Sequence, residues 1–281
     1  MRIKITSDST CDLTKEIVSK YDITIIPLPI IKGDVSFKDG VDITPEDIFE
    51  YVESGAGVCH TAAINVGDYQ EAFRPLASEY DAVIHFTLSS GISSCLQNAQ
   101  LAASEFDNIY VVDTLNLSTG SGHLVLDAAI MAQNGAAPAQ IVEKINALAP
   151  KVEASFVIDT LKYLYKGGRC SGVAALGANV LKLKPCIEVV GGKMDVGKKY
   201  RGNFDKVILQ YVADRLKDRD DVDYRRIFVT HPSGVPKEVC DAVIKAVRSF
   251  GPFEEIIESQ AGCAISNHCG PVCLGILFYR K

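Results

Sequence analysis

The 281-residue chain reads as an α/β protein built from two α/β domains with largely parallel or mixed sheets. Three observations lead to that class. Short β-rich runs alternate with helix-like stretches from end to end. Strands such as Ala82-Val83-Ile84-His85-Phe86 are almost continuously apolar, the pattern of strands covered on both faces. A hydrophobic fraction of 47% is enough to bury a sizeable core and excludes general disorder.

In chain order, a strand over 2–6 leads through Thr6-Ser7-Asp8-Ser9-Thr10 into a helix over 14–21, and a β-rich run covers 24–31. A helix over 44–54 opens on Thr44 with Pro45 at its first position, and another covers 66–79. A strand over 82–88, a helix over 94–106 and a strand over 109–113 follow. A helix over 122–134 is closed by Asn134-Gly135, and a short Ala-rich helix covers 138–149. Gly135, Pro138 and Pro150 flank that last helix and the strand–helix rhythm restarts after it, so the chain divides into domains 1–150 and 151–281. The second half carries strands over 154–158, 185–190, 226–231, 253–259 and 272–279. Its helices cover 172–183, 205–217 and 236–249, with a further one ending at Gly167-Gly168. The charged stretch 217–223 reads as a solvated helix end and loop.

Composition narrows the function. Acidic residues number 35 against 29 Lys plus Arg, a net charge of −6, which argues against nucleic acid as the main partner. An aromatic fraction of 8% without Trp gives no sign of base stacking or of a Trp-lined sugar site. The nine Cys are odd in number and dispersed, and no C-x-x-C occurs, so free thiols in a reducing compartment are expected. No apolar run approaches the roughly 20 residues that span a bilayer, and the first residues lack the apolar stretch of a signal peptide. The chain therefore reads as cytoplasmic, with membrane contact at most transient.

The common nucleotide signatures are absent. There is no G-x-x-x-x-G-K-[ST], Gly191-Gly192-Lys193-Met194 lacks both spacing and hydroxyl, and Gly120-Ser121-Gly122 misses the third glycine of a dinucleotide fingerprint. No G-x-S-x-G elbow is present. What recurs is hydroxyls at strand ends, first in 6–10 and then in Leu88-Ser89-Ser90-Gly91-Ile92-Ser93-Ser94. In open α/β sheets ligands sit there, where free N–H groups and hydroxyls cradle an anion. Helix capping explains Ser and Asp equally well at the first site; four Ser around one Gly exceed what a single cap needs. Three further places carry candidate chemistry: Thr61 in Cys59-His60-Thr61, Arg169 after a Gly-Gly helix stop, and His268 in Asn267-His268-Cys269-Gly270-Pro271. Cys263, His268, Cys269 and Cys273 lie close in sequence, but the paired knuckles of a zinc site are missing and Cys273 falls in an apolar strand, so no metal is expected.

Taken in order, these places resemble the DegV family of bacterial fatty-acid-binding proteins. The resemblance rests on residues 5–13, Ile26-Pro27-Leu28, Thr61 eight residues before Tyr69, Leu88–Ser93 and Tyr110-Val111-Val112-Asp113-Thr114. It continues through Tyr163–Arg169, Leu183-Lys184-Pro185, Lys198–Arg201, and His268-Cys269-Gly270-Pro271 before Leu274-Gly275. It implies that one long-chain fatty acid is enclosed between two α/β domains, and that a separate fatty acid kinase phosphorylates the acyl carboxylate. It further implies that Thr61 and Ser93, with Ser90 close by, hold the head group. Arg169 and His268 stand at the family's matching Arg and His, and Arg201 in a basic strand is implied to serve the kinase partner and phosphotransfer, with His268. The family's T-S-Q-P-S loop is here Thr61-Ala62-Ala63-Ile64-Asn65, its S-G-T is Ser93-Ser94-Cys95, and Arg201 runs into Gly202-Asn203.

The resulting expectation is a fatty-acid carrier that is not itself an enzyme and holds no cofactor beyond its ligand. Two rivals stay open: an enzyme acting on a phosphorylated or carboxylated small molecule with Asp8 as nucleophile, and a structural or regulatory interaction protein.

Overall fold

A computed structural model describes residues 1–170 and 183–281; the helix expected over 172–183 lies almost wholly outside the described residues. A four-stranded parallel sheet has the order β2 (Thr24–Ile26), β1 (Ile3–Asp8), β6 (Ala82–Thr87), β7 (Ile109–Asp113). A six-stranded sheet runs β10 (Lys193–Arg201), β9 (Leu183–Val190), β8 (Val152–Ile158), β13 (Cys273–Arg280), β11 (Val222–His231), β12 (Glu255–Gln260). A small antiparallel sheet joins β4 (Val35–Lys38), β3 (Pro29–Lys32) and β5 (His60–Thr61). The chain is thus α/β with one parallel and one mixed sheet. In the larger sheet only β11 and β12 pair in parallel, so the expectation of mostly parallel pairing holds for the first sheet alone.

The β-rich run over 24–31 breaks into two strands of different sheets. Pro27 and Pro29 have no N–H to give a ladder, and Leu28 between them donates its N–H to Ser9 Oγ at 3.1 Å. That break turns the chain out of the parallel sheet into β3, which pairs Ile30 with Thr61.

The helices α1 (Lys15–Lys20), α2 (Pro45–Glu53), α3 (Val66–Glu79) and α4 (Cys95–Ala103) fall where the sequence puts them. Thr44 and Asp47 close a reciprocal capping box at the start of α2. The helix α5 (Ser118–Gln133) begins four residues earlier than the apolar pattern suggests, and every side chain from Ser118 to Ala129 is buried. A helix without a solvent face needs partners all round: α5 packs on β1 and β6 on one side and on β8, β11 and β13 on the other. Its small residues allow the approach, since a Cβ on Gly122 would stand 2.7 Å from the Cys11 carbonyl oxygen and 3.0 Å from Leu13.

Beyond α6 (Pro138–Leu148) and α7 (Lys162–Gly167), the helices α8 (Phe204–Leu216) and α9 (Lys237–Phe250) cover the far face of the six-stranded sheet. Strand alternation separates the faces: Leu274, Ile276 and Phe278 join the core under α8 and α9, whereas Cys273 and Leu277 point to the opposite side. The charged stretch after α8 is more structured than a solvated loop, because Arg219 bonds both Glu153 and Asp221. Among the described residues no helix is long and apolar enough to cross a membrane.

Gly122→Ala tests the close packing of α5. The added methyl meets the Cys11 backbone oxygen first and the Leu13 side chain next, so the variant should lose about 1–3 kcal/mol of stability, read as a lower denaturant midpoint with an unchanged slope.

Candidate functional site

The candidate head-group site forms where β5, the Ser loop after β6 and a short helix α10 (Cys263–Cys269) meet. Residues 263–269 are helical: α10 carries His268 in its last turn, and Gly270 stops it at φ 79°. Two buried carboxylates fix the start of α10. Asp39 accepts from Cys263 N at 2.8 Å, from Ala264 N at 3.3 Å and from Ser9 Oγ at 2.8 Å. Asp12, in the left-handed region at φ 48°, accepts from Gly262 N at 2.8 Å and from Ser118 Oγ at 2.5 Å. Helix-start N–H groups suit such anions. Burial nevertheless pushes the Asp12 carboxyl up to about 8, with Asp39 adding to the rise and the two donors opposing it.

So anchored, α10 places His268 Nε2 2.9 Å from Thr61 Oγ1. The opposite ring edge packs on Gly167, where a Cβ would stand 2.1 Å from Nδ1. Among the described residues Nδ1 has no hydrogen-bond partner, so the imidazole proton is best used on Nε2, donating to Thr61. The Thr61 hydroxyl hydrogen is then left to donate to a ligand. Burial, with the nearby Arg169 guanidinium and His60, holds the His268 imidazole down at about 4, so the ring is neutral at pH 7.

Thr61, Ser93, His268 and Arg169 line one cavity of about 60 Å³, together with Thr10 from the loop after β1. Ser93 Oγ also caps α4 by accepting from Cys95 N at 3.2 Å. The rest of the wall is apolar, including Leu88, Leu117, Phe156, Met194 and Ile265. Met194 is delivered by the β9–β10 hairpin, whose tip docks on the Ser loop: Ser89 Oγ donates to the Gly192 carbonyl at 2.7 Å. A second cavity of about 30 Å³ shares Leu117, Phe156, Ile265 and Cys269 with the first. It continues between the sheet and α5 past Cys273 and Leu277 toward Thr230. The arrangement is two adjoining, largely apolar cavities divided by shared side chains, the first carrying hydroxyls, a neutral imidazole and one guanidinium. It suits an amphiphile with an anionic head.

Three residues fall elsewhere. Ser90 is turned away to the surface, where its hydroxyl donates to Asp113 Oδ2 at 2.5 Å and its N–H to Asp113 Oδ1 at 3.2 Å; its place beside Ser93 in sequence does not bring it to the cavity. Arg201 ends the edge strand β10, exposed and outside the cavity wall. Asp8 is buried at 1% exposure and accepts from Tyr69 Oη at 2.7 Å and Leu88 N at 2.9 Å. It holds the Ser loop to β1, with no substrate-sized space beside it among the cavities described. Of the C-terminal Cys/His group, Cys263 donates to the Ile43 carbonyl while His268 turns to Thr61.

Asp12 and Asp39 are the functional positions that motif reading missed. Each is a single acidic residue in a turn, and the backbone N–H it holds at the start of α10 lies more than 200 residues away. Lys38-Asp39-Gly40 offered only a generic turn signal.

The neutral His268 has a pH consequence. His123, buried in α5 with Nε2 2.9 Å from the Leu277 carbonyl oxygen, is also held at about 4 by burial. Unfolded imidazoles near 6.5 take up protons that these folded ones refuse, so their contribution is complete above pH 6.5 and is lost as pH falls toward 4. His268→Gln should therefore shrink the stability loss between pH 7.5 and 5 by about 1–2 kcal/mol, measured by denaturant unfolding at both pH values.

Comparison with known proteins supplies relatives. The sequence profile of the DegV family, described as uncharacterised proteins, matches residues 2–281. A DegV domain-containing protein of Caldanaerobacter subterraneus subsp. tengcongensis is 33% identical over 283 residues, covering 100% of this chain and 99% of the relative. A DegV-family protein of Thermus thermophilus, described as binding fatty acid, superposes with a TM-score of 0.89 at 28% identity over 100% of both chains. DegV of Bacillus subtilis, described as a fatty acid binding protein, gives 0.82 at 26% identity, again over 100% of both.

Proposed function

The chain belongs to the DegV family, and on that premise we propose that it binds a long-chain fatty acid and presents the carboxylate to a separate fatty acid kinase. In this reading it is a cytoplasmic carrier rather than an enzyme, and the acyl chain lies between two units that divide near residue 150. The observation that carries the reading is the row of two adjoining apolar cavities, the first of which is lined by the Thr61–His268 pair. The fatty-acid-binding descriptions of the Thermus thermophilus and Bacillus subtilis proteins support it.

Energetics divide the work between tail and head. About 14 methylenes at roughly 0.8 kcal/mol each contribute on the order of 11 kcal/mol before association costs. A hydrogen bond to the carboxylate adds only about 1.5–3 kcal/mol. The two cavities are small as they stand, about 60 and 30 Å³. A long chain therefore enters by parting Leu117, Phe156, Ile265 and Cys269, the side chains common to both, and part of the burial energy goes into that repacking.

Native mass spectrometry of protein purified from cells tests the reading: a co-purified mass of one long-chain fatty acid is expected, and a clean apo mass that takes up no added fatty acid contradicts it. Thr61→Ala and Ser93→Ala should each weaken binding by roughly tenfold or more yet retain detectable fatty acid; complete loss would show that the head group, not the tail, dominates.

Arg201 is assigned to the kinase. It follows Lys198 and Lys199 on an edge strand of an acidic chain; Lys198 is paired with Asp214 at 2.6 Å, whereas Arg201 has no ion pair among the described residues. A free guanidinium fits an encounter with phosphate-bearing groups. Arg201→Ala should leave fatty acid content unchanged and lower acyl-phosphate formation with the cognate kinase at sub-saturating carrier; turnover equal to wild type would return Arg201 to the role of a surface charge.

A further inference from the structure

Three side chains of metal-binding type converge on the face of the six-stranded sheet that α8 and α9 cover. Strand alternation puts two of them there. Val229 belongs to the core under those helices, so His231, two residues on at the end of β11, faces the same way, while Thr230 between them turns to Thr119 of α5. Glu258 is the partner of Val229 in the parallel pairing of β11 with β12 and shares that face. Cys240, near the start of α9, meets them with a fully buried thiol. An imidazole nitrogen of His231, Cys240 Sγ and a Glu258 oxygen all lie within 4.8 Å of one another.

The hydrogen bonds of His231 leave a conflict at this point. Nδ1 stands 2.8 Å from the Pro232 carbonyl oxygen, which can only accept, and Nε2 stands 3.0 Å from Glu258 Oε1. A neutral ring has one N–H to offer. Spent on Pro232, it leaves the Nε2 lone pair facing a carboxylate, an arrangement that needs a positive centre between the two, either a second proton or a metal ion. The bond from Nδ1 to a backbone carbonyl is also the contact that orients metal-ligating histidines and keeps Nε2 free to coordinate. Lys237, at the start of the same helix as Cys240, does not supply the charge, because Asp241 holds it at 2.7 and 2.9 Å. Burial, with Glu258 and Asp241 adding to it, pushes the Cys240 thiol up to about 11. Carboxylates that disfavour a thiolate favour a dication in the same place, and the thiol proton passes to solvent as a metal binds. A second proton on His231 would satisfy the histidine and leave Cys240 a bystander; a metal ion engages all three.

We propose that His231, Cys240 and Glu258 form a site for a zinc-class divalent cation. The donor set selects the class: thiolate, imidazole and carboxylate together suit zinc and its neighbours, whereas calcium and magnesium want oxygen alone. Tetrahedral zinc holds such donors roughly 3.3–3.6 Å apart, so the cluster closes by a shift on the order of 1 Å. Glu258 has the freedom for it, with 41% of its side chain exposed, and that open side leaves the fourth position to water. Bound there, the ion pins the edge strand β12 to β11 and to α9. The site uses none of Cys263, His268, Cys269 and Cys273, and it rests on nothing in the fatty-acid reading.

Titration of tag-free, metal-stripped protein with cobalt(II) is the test. Wild type should bind one cobalt per chain, with a thiolate-to-cobalt charge-transfer band and the intense d–d bands of tetrahedral coordination, and zinc should displace it. Cys240→Ser should abolish the charge-transfer band, which separates this thiol from the eight others. Glu258→Gln, a change at a partly exposed side chain, should weaken cobalt binding roughly tenfold or more. Far-ultraviolet circular dichroism and a cooperative unfolding transition report that each variant is folded. Zinc should raise the denaturant midpoint of wild type and leave that of Cys240→Ser unmoved. No charge-transfer band in wild type under excess cobalt, a band that survives Cys240→Ser, or equal cobalt affinity in wild type and Glu258→Gln overturns the site and leaves a protonated His231 paired with Glu258.

Discussion

Burial of α5 on all sides is the constraint from which the rest of the architecture follows. A helix carrying Leu124, Val125, Leu126 and Ala128 in succession has no face to give to water. It therefore needs one sheet on each side, and the parallel and mixed sheets clamp it between them. Most of its polar side chains find partners: Ser121 meets Thr114 at 2.8 Å, Thr119 meets Thr230 at 2.6 Å, and Asp127 takes Arg226 at 2.9 Å, while His123 Nδ1 and Asp127 Oδ2 have no hydrogen-bond partner among the described residues. Each such bond is worth little in net terms, but left unmade it would cost more than it adds. The bonds reach a loop of the first sheet through Ser121 and strand β11 of the second through Thr119 and Asp127, so they tie both sheets to the helix.

That placement brings the loops after β1 and β4 against the start of α10, and there two carboxyl groups complete the site. A buried carboxyl group, ionised or not, is costly unless it finds hydrogen-bond partners. Asp39 finds backbone N–H groups and the Ser9 hydroxyl; Asp12 finds Gly262 N and Ser118. The result is a seven-residue helix held at its first turn by residues from the far end of the chain, with His268 at its last. Nothing in α10 itself would hold His268 against Thr61; a helix that short is marginal on its own.

Much of this was legible in the sequence because it depends on local pattern. The boundaries of α3 and β7 coincide with the apolar runs, and the Thr44–Pro45 start and the Asn134–Gly135 stop follow from side-chain and backbone chemistry within one turn. The clustering of Thr61, Ser93, Arg169 and His268 came from a resemblance and from hydroxyls at strand ends, and the cavity unites them. What escaped depends on distant partners. Ser90 looks equivalent to Ser93 in sequence, yet Asp113 on the neighbouring strand captures it. The split of 24–31 needs Ser9 to receive Leu28 N–H, and the hairpin tip at Gly192 needs Ser89.

The central claim is that a ligand's head rests at Thr61 and His268 while its chain runs between α5 and the six-stranded sheet. Isotope-filtered nuclear Overhauser spectroscopy on protein loaded with uniformly ¹³C-labelled palmitate addresses it directly. The account predicts contacts from the carboxyl-adjacent methylene to Thr61 and His268, and from the terminal methyl to Leu277 and Thr230. Contacts from the terminal methyl to Thr61 with the carboxyl end at Leu277, or an acyl chain contacting only exposed residues, would contradict it.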